Sequence, residues 1–304
     1  MKSKEEKIYG LIVFIILIVC FIYKTSIVDD IKKVSGDVSN VTTTTKKVVV
    51  DGELEVQFID VGQADSILIS TGSHNMLIDA GNNEDGKKLV NYIKSLGINS
   101  FDYVVGTHPH EDHIGGMDDI IKSFDIKEYM MPEKLSTSKT FEDVLDALLE
   151  KELSYTVPKI DSEYFLGDAL IKVIYVGDET NDANDSSIVL KLIYGDNSFL
   201  FMADASSSVE RKILNSDITS DVLKVGHHGS EYSTKEEFLN KVNPKYAVIS
   251  VGTNNIYKHP KQITLNKLNK NNIKIYRTDL DGTIIFNSNG KTIEIKTIET
   301  DTNG

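Results

Sequence analysis

Thr107-His108-Pro109-His110-Glu111-Asp112-His113-Ile114-Gly115-Gly116 follows the apolar run Tyr103–Val105 and precedes a short amphipathic stretch. Three histidines and an aspartate fall within the six residues 108–113. Imidazole and carboxylate donors at that density suit zinc, manganese or iron, whereas a solvated polar loop has no need of them. Gly115 and Gly116 predict a tight turn that aims the donors at a common point.

On both sides of this segment short β-rich runs alternate with amphipathic stretches. Strands are predicted at Leu54–Ile59, Ser66–Ser70, Asn75–Ile78, Tyr103–Val105, Ile126–Met130, Leu170–Val176, Ile188–Tyr194, Phe199–Met202, Val222–Val225, Tyr246–Val251, Ile273–Tyr276, Thr283–Phe286 and Thr292–Ile298. Each is rich in Val, Ile, Phe and Tyr and bounded by Gly, Asp or Asn. Helices are predicted at Lys87–Leu96, Met117–Ser123, Phe141–Leu153, Ser207–Leu214, Lys235–Val242 and Gln262–Asn269. The clearest is Phe141–Leu153, where Phe141, Val144, Leu145, Leu148 and Leu149 form one stripe and Thr140 is placed to cap it. Two strand-rich groups, each followed by β-α alternation, fit two sheets covered by outer helices. Composition and period alone do not choose that layout over other α/β arrangements.

The N-terminus has a different texture. Ile8–Tyr23 is a nearly unbroken apolar run of 16 residues preceded by Lys2, Lys4 and Lys7. Its length lies just under the roughly 20 residues of a comfortable membrane span, and no small-residue cleavage site follows it. It reads as an uncleaved single-pass transmembrane helix, with a cleaved signal and a secreted product as the alternative. The flanking lysines put residues 1–7 in the cytoplasm and the rest of the chain outside the cell membrane. Residues 24–52, with the run Thr42-Thr43-Thr44-Thr45, read as a linker, and residues 53–304 as the globular domain. Cys20, the single cysteine, lies inside the apolar run, so the globular part contains no disulfide. The chain carries a net charge of −13; residues 1–50 contribute +3, which leaves −16 on residues 51–304. That balance offers no broad basic groove to a long polyanion.

The His108–His113 signature resembles that of the metallo-β-lactamase superfamily, an αββα sandwich with its metal site at one edge. Further segments carry the resemblance to its ComEC-like branch and to the related teichoic acid phosphorylcholine esterases. These are Asp60-Val61-Gly62-Gln63-Ala64-Asp65-Ser66, Leu77-Ile78-Asp79-Ala80-Gly81, Lys224-Val225-Gly226-His227-His228-Gly229-Ser230 and His259-Pro260. The resemblance spans about residues 54–290. It implies that His108 and His110 hold one divalent ion, that Asp112 and His113 hold another, and that Asp204 bridges the two. One histidine of the pair His227/His228 would complete the first site and His259 the second, with Asp79 fixing ligand orientation by hydrogen bonds. If the strand before them continues, His227 and His228 point to opposite sides, and His228 is then the favoured ligand. The other would donate a proton to the leaving group or touch substrate. Met202-Ala203-Asp204 stands where the family usually has Thr-Gly-Asp. Asn184, Ser186 and Ser187 stand where many members have a further histidine. Asp60–Ser66 is either a turn without chemistry or a source of one carboxylate, Asp60 or Asp65, that supports the pocket. His74 matches nothing and reads as structural.

The implied activity is hydrolysis by a hydroxide shared between two divalent ions, Zn2+ or Mn2+, with Asp112, His227 and His228 as the catalytic residues. A phosphodiester is the implied substrate, extracellular DNA among the candidates, with a cell-wall or phosphorylcholine ester as the alternative. A non-catalytic binding domain would be marked by a broken ligand set, and every position is filled here. β-Lactamase or lactonase chemistry is a further alternative.

Overall fold

The computed structural model describes residues 52–179 and 182–298. The segments expected to be cytoplasmic (1–7), membrane-spanning (8–23) and linker (24–52) lie outside the described residues, Gly52 excepted. No helix among the described residues is long and apolar enough to cross a membrane.

Among the described residues, fifteen strands form two sheets. They are β1 Leu54–Phe58, β2 Ile67–Thr71, β3 His74–Ile78, β4 Ser100–Val105, β5 Asp125–Met130, β6 Tyr155–Thr156, β7 Glu163–Leu166, β8 Ala169–Tyr175, β9 Val189–Tyr194, β10 Asn197–Phe201, β11 Val222–Lys224, β12 Tyr246–Ile249, β13 Lys274–Arg277, β14 Thr283–Ser288 and β15 Ile293–Ile298. The first sheet has the order β15-β14-β1-β2-β3-β4-β5-β6 and the second β13-β12-β11-β10-β9-β8-β7. In each, an antiparallel meander hands over to parallel strands, at β3 and at β10. The chemistry of connection explains the change. Tight turns such as Gly72-Ser73 and Gly195-Asp196 join antiparallel neighbours, whereas parallel neighbours need a crossover, supplied by helices such as Gly86–Ser95 and Glu236–Val242.

Side-chain alternation builds the layers. In β2, Ile67 and Ile69 enter the core between the sheets while Leu68 faces the outer helices; in β10, Phe199 and Phe201 point inward and Leu200 outward. The inter-sheet core centres on Phe58, Phe199, Phe201 and Phe286, with Phe58 and Phe286 edge to face at 5.7 Å. The outer face of the first sheet meets Leu89, Ile93, Met117, Ile120, Val144 and Leu148; that of the second meets Val209, Ile213, Phe238, Leu239 and Leu268. The expected αββα sandwich is therefore the observed architecture.

Local expectations needed correction. β6 and β7 were not anticipated: β6 has two residues, and β7 ends its sheet with Phe165 exposed, so neither shows a buried alternation. The cap of the Lys139–Glu150 helix is Ser138, which accepts from Phe141 N–H at 3.2 Å, while Thr140 sits inside the helix and donates to Asn83 Oδ1. Gly115 has helical dihedrals, φ −58° and ψ −48°, so it does not make the expected turn. Its role is closeness: a Cβ there would lie 2.2 Å from the carbonyl carbon of Asn82.

Candidate metal centre

The carboxyl ends of β3, β4, β10, β11 and β12 release their loops toward one edge, and the two sheets are joined there by Ile188 N–H donating to Thr107 O at 3.0 Å. Open α/β sheets place ligands at such ends. Asp79 leaves β3 in a left-handed conformation, φ 59°. Its Oδ1 accepts from Thr107 N–H at 2.8 Å, and its Oδ2 accepts from the Thr107 hydroxyl at 2.8 Å and from His113 Nδ1 at 2.7 Å. Because the Thr107 proton is committed to Asp79, its oxygen accepts from His108 Nδ1 at 3.2 Å. The bare Nε2 of His108 then faces His110 Nδ1 at 3.1 Å. His110 precedes the helical turn Glu111–Ile114, which carries Asp112 and His113.

Asp204 follows β10 through Ala203, itself left-handed at φ 46°. It does not cap the next helix; Ser206 does, accepting from Ser208 N–H. Asp204 Oδ1 lies 3.4 Å from His113 Nε2 and 3.6 Å from His228 Nε2, and its Oδ2 lies 3.6 Å from His227 Nε2.

The strand does not continue through the histidine pair, contrary to the sequence expectation. His227 (φ 50°, ψ 51°) and His228 (φ 51°, ψ 25°) are both left-handed inside the tight turn Gly226–Gly229. Conformations this sparsely populated persist only where surrounding contacts hold them. Here His227 N–H donates to Ala203 O at 2.9 Å and His228 Nδ1 donates to Ser250 O at 2.9 Å. Both rings consequently face Asp204 from different directions, His228 toward Oδ1 and His227 toward Oδ2. His228 Nε2 also lies 3.2 Å from Asp112 Oδ2.

The donor atoms of Asp112, His113, Asp204 and His228 all lie within 4.8 Å of one another. His108 and His110 pair beside this quartet. His259 meets His227 ring to ring at 5.8 Å, its backbone clasped by the Asn255 amide at 2.8 Å on both sides. Asp65, one of two carboxylates weighed from sequence, supports the pocket. Its Oδ1 is 3.5 Å from His228 Nδ1, and its Oδ2 is 3.9 Å from His113 Nδ1 and 2.7 Å from Lys224 Nζ. Asp60 accepts from Gly62 N–H, a turn contact. His74 lies 3.2 Å from Asp102, away from the quartet, as a structural residue would. Lys224, quoted from sequence only as part of a matching segment, and Ser250 were given no role there; neither type suggests a metal pocket on its own.

Burial, followed by the neighbouring His113, pushes the His108 imidazole well below its usual value, which keeps it neutral. Burial and then His227 and His228 lower His259 to about 4. His113 is also fully buried, yet Asp204, Asp79 and Asp112 outweigh that and hold it well above the ordinary imidazole range. For Asp204 burial is again outweighed, by His228 and His113, so its carboxyl is held well below normal. The quartet thus binds itself by charge, and a cation entering it must displace protons. A cation also fits what is left over in the quartet, since His113 Nε2 and Asp204 Oδ1 are buried without hydrogen-bond partners.

Residues 59–253 match the profile of the metallo-beta-lactamase superfamily. The chain belongs to that superfamily. Among curated proteins it is 32% identical to ComE operon protein 3 of Bacillus subtilis (strain 168) over 77% of this chain and 33% of that one. It is 30% identical to competence protein ComA of Neisseria gonorrhoeae, over 78% and 33%. The expected ComEC-like membership stands on these relatives, of which the chain spans a third of the length. Among solved structures, the metallo-beta-lactamase fold protein YhfI from Bacillus subtilis aligns with a TM-score of 0.52 and 11% identity, over 75% of this chain and 96% of that one, a likeness of fold. By superfamily and donor cluster the domain is a metal-dependent hydrolase.

Proposed function

We propose that this domain is a two-ion phosphodiesterase. The observation that supports it is the quartet Asp112, His113, Asp204 and His228, its donors within 4.8 Å, with the His108–His110 pair adjoining. In this reading His108 and His110 would hold one ion and Asp112, His113 and His228 the other, with Asp204 as the carboxylate available to both. Zinc and manganese suit these donors equally. Bound divalent ions supply Lewis acidity, acidifying water and offsetting charge on a phosphoryl oxygen. His227, a quarter exposed and on the open side of Asp204, is left to complete the first site or to protonate the leaving group. His259, kept neutral, can donate an N–H to substrate oxygen.

The site opens into a cleft of about 610 Å³. Gln63, Asn82, Asn184, Asn254 and Asn255 line it, with no Lys or Arg among the described lining residues. A polynucleotide draws much of its affinity from cations along its backbone, so this lining favours a compact ester, as in the phosphorylcholine esterases, over long DNA. The apolar run Ile8–Tyr23 would hold the domain outside the cell membrane.

Bis-p-nitrophenyl phosphate with zinc or manganese tests the reading, with single- and double-stranded DNA, a phosphorylcholine ester and nitrocefin as parallel substrates. Turnover of the phosphodiester is expected, with loss of at least a hundredfold in His110→Ala and Asp112→Ala at an unchanged circular-dichroism spectrum, by about the size of effect that removing one transition-state donor produces. Activity retained in either variant removes that residue from the reaction, and turnover of nitrocefin alone overturns the reading.

A further inference from the structure

Lys224 occupies a position made for an apolar side chain. In β11, Val222 faces the core between the sheets and Leu223 the outer helices, so alternation sends Lys224 inward, where its side chain is fully buried. A buried ammonium is tolerated only with an anion beside it, and Asp65 Oδ2 lies 2.7 Å away on a loop of the opposite sheet. That carboxylate is the back wall of the metal centre. Asp65 N–H donates to Asp112 O at 3.0 Å, Gly81 N–H donates to Asp65 O at 2.9 Å, and Asp65 Oδ1 stands 3.5 Å from His228 Nδ1. Asp65, Asp79 and His113 also form a buried cluster with donors within 4.8 Å, and the cation that answers Asp65 is the protein's own ammonium.

We infer that Lys224 is a fixed internal anchor that holds the Asp65 carboxylate and so leaves the His228 Nδ1–H to Ser250 O, the orientation in which His228 Nε2 faces Asp112 and Asp204. With Lys224 in place, Asp65 is satisfied and His228 Nδ1–H stays on Ser250 O at 2.9 Å. Without it, an unpartnered carboxylate 3.5 Å from Nδ1 competes with Ser250 O for that N–H and turns the ring, and Nε2 with it, away from Asp112 and Asp204. Lys224 is therefore a positioning residue, acting through Asp65 and His228. The inference rests on the proposed role of the quartet as a metal site.

The full chain, stripped by chelation, is titrated with zinc against a chromophoric competitor, while thermal unfolding of the metal-free forms is recorded in parallel. If the unaltered chain takes up no zinc, the metal-site reading itself falls. If it does, Lys224→Met should weaken zinc binding by about tenfold to a hundredfold, the range seen when a residue supporting a ligand is lost. The double variant Asp65→Asn/Lys224→Met, which removes both charges together, should regain most of that affinity; a lysine needed only for folding would give no such rescue. Unaltered zinc affinity in folded Lys224→Met overturns the inference, as does a double variant as weak as the single one. Failure of both variants to fold also overturns it, since the pair would then act through the fold alone.

Discussion

Gly115 and the two left-handed histidines show at single residues how the loop geometry is held. Gly115 has a backbone any residue could adopt, but a Cβ would meet Asn82 C at 2.2 Å and Asn83 N at 2.3 Å, main-chain atoms that cannot rotate away. Gly115→Ala should therefore push the His110–Ile114 turn off the Asp79–Asn83 loop and destabilise the protein by about 1–3 kcal/mol, the usual range for overpacking. Urea unfolding reads this directly, and an unchanged midpoint would show that the loop gives way freely. His227 and His228 pose the opposite problem, since each carries a side chain that its own dihedrals disfavour. Sequence periodicity carries no signal for two successive non-glycine residues of this kind, so a strand was the natural expectation. The His108–His113 donors were legible because they share one turn. The service of Asp65 was only half legible, because its cation, Lys224, lies on the other sheet.

At the level of elements, caps and crossings decide what the loops do. Ser138 accepts from Phe141 N–H at the start of the Lys139–Glu150 helix, whose Phe141, Val144 and Leu148 cover the first sheet. Ser138→Ala should cost about 1 kcal/mol. Thr140→Ala should cost less, since Thr140 contributes a single partly buried hydrogen bond to Asn83; thermal melts of the two variants in the reverse order would return the cap to Thr140. Asp185 performs the same service for the Asp204 loop, accepting from Ser206 N–H at 3.0 Å and from the Ser208 hydroxyl. Burial opposes its ionisation, but the bonds from Ser208 and Ser206 prevail and lower its pKa below the reference 3.8. A carboxyl depressed in the folded state stabilises above the unfolded value and loses that contribution as pH falls through the folded one. The stability gap between the unaltered chain and Asp185→Asn should accordingly close as pH drops below 3.8, and a gap constant across that range would remove Asp185 from the acid response. The alternation of β2, β10 and the amphipathic helices made the layers readable. β6 and β7 were not, being short or exposed edges whose existence depends on pairing partners.

For the whole molecule, the two sheets bring Asp65, Asp79, Asp112 and Asp204 to one edge, and Lys224 is the fixed cation among them. Without metal, the site meets that negative charge with protons. Asp204, Asp79 and Asp112 prevail over burial and raise His113, and Asp204 and Asp65 do the same for His228. A histidine raised on folding contributes stability that is complete below its unfolded pKa and fades as pH rises through the folded value. The chelated protein should therefore lose stability toward alkaline pH. A divalent ion replaces those protons with charge that does not titrate away, and its binding strengthens as competition from protons recedes. At a free metal concentration about 100 times the dissociation constant the gain is about 2.7 kcal/mol. The expected result is a higher melting temperature with zinc than with chelator at every pH, with the difference growing between about pH 6 and about pH 8.5 as competition from protons recedes. Calorimetry of the full chain at those two values measures it. A difference that shrinks with rising pH would mean that the raised histidines are not the groups the metal displaces, and the quartet would lose its standing as the place where the two sheets are clamped by a cation.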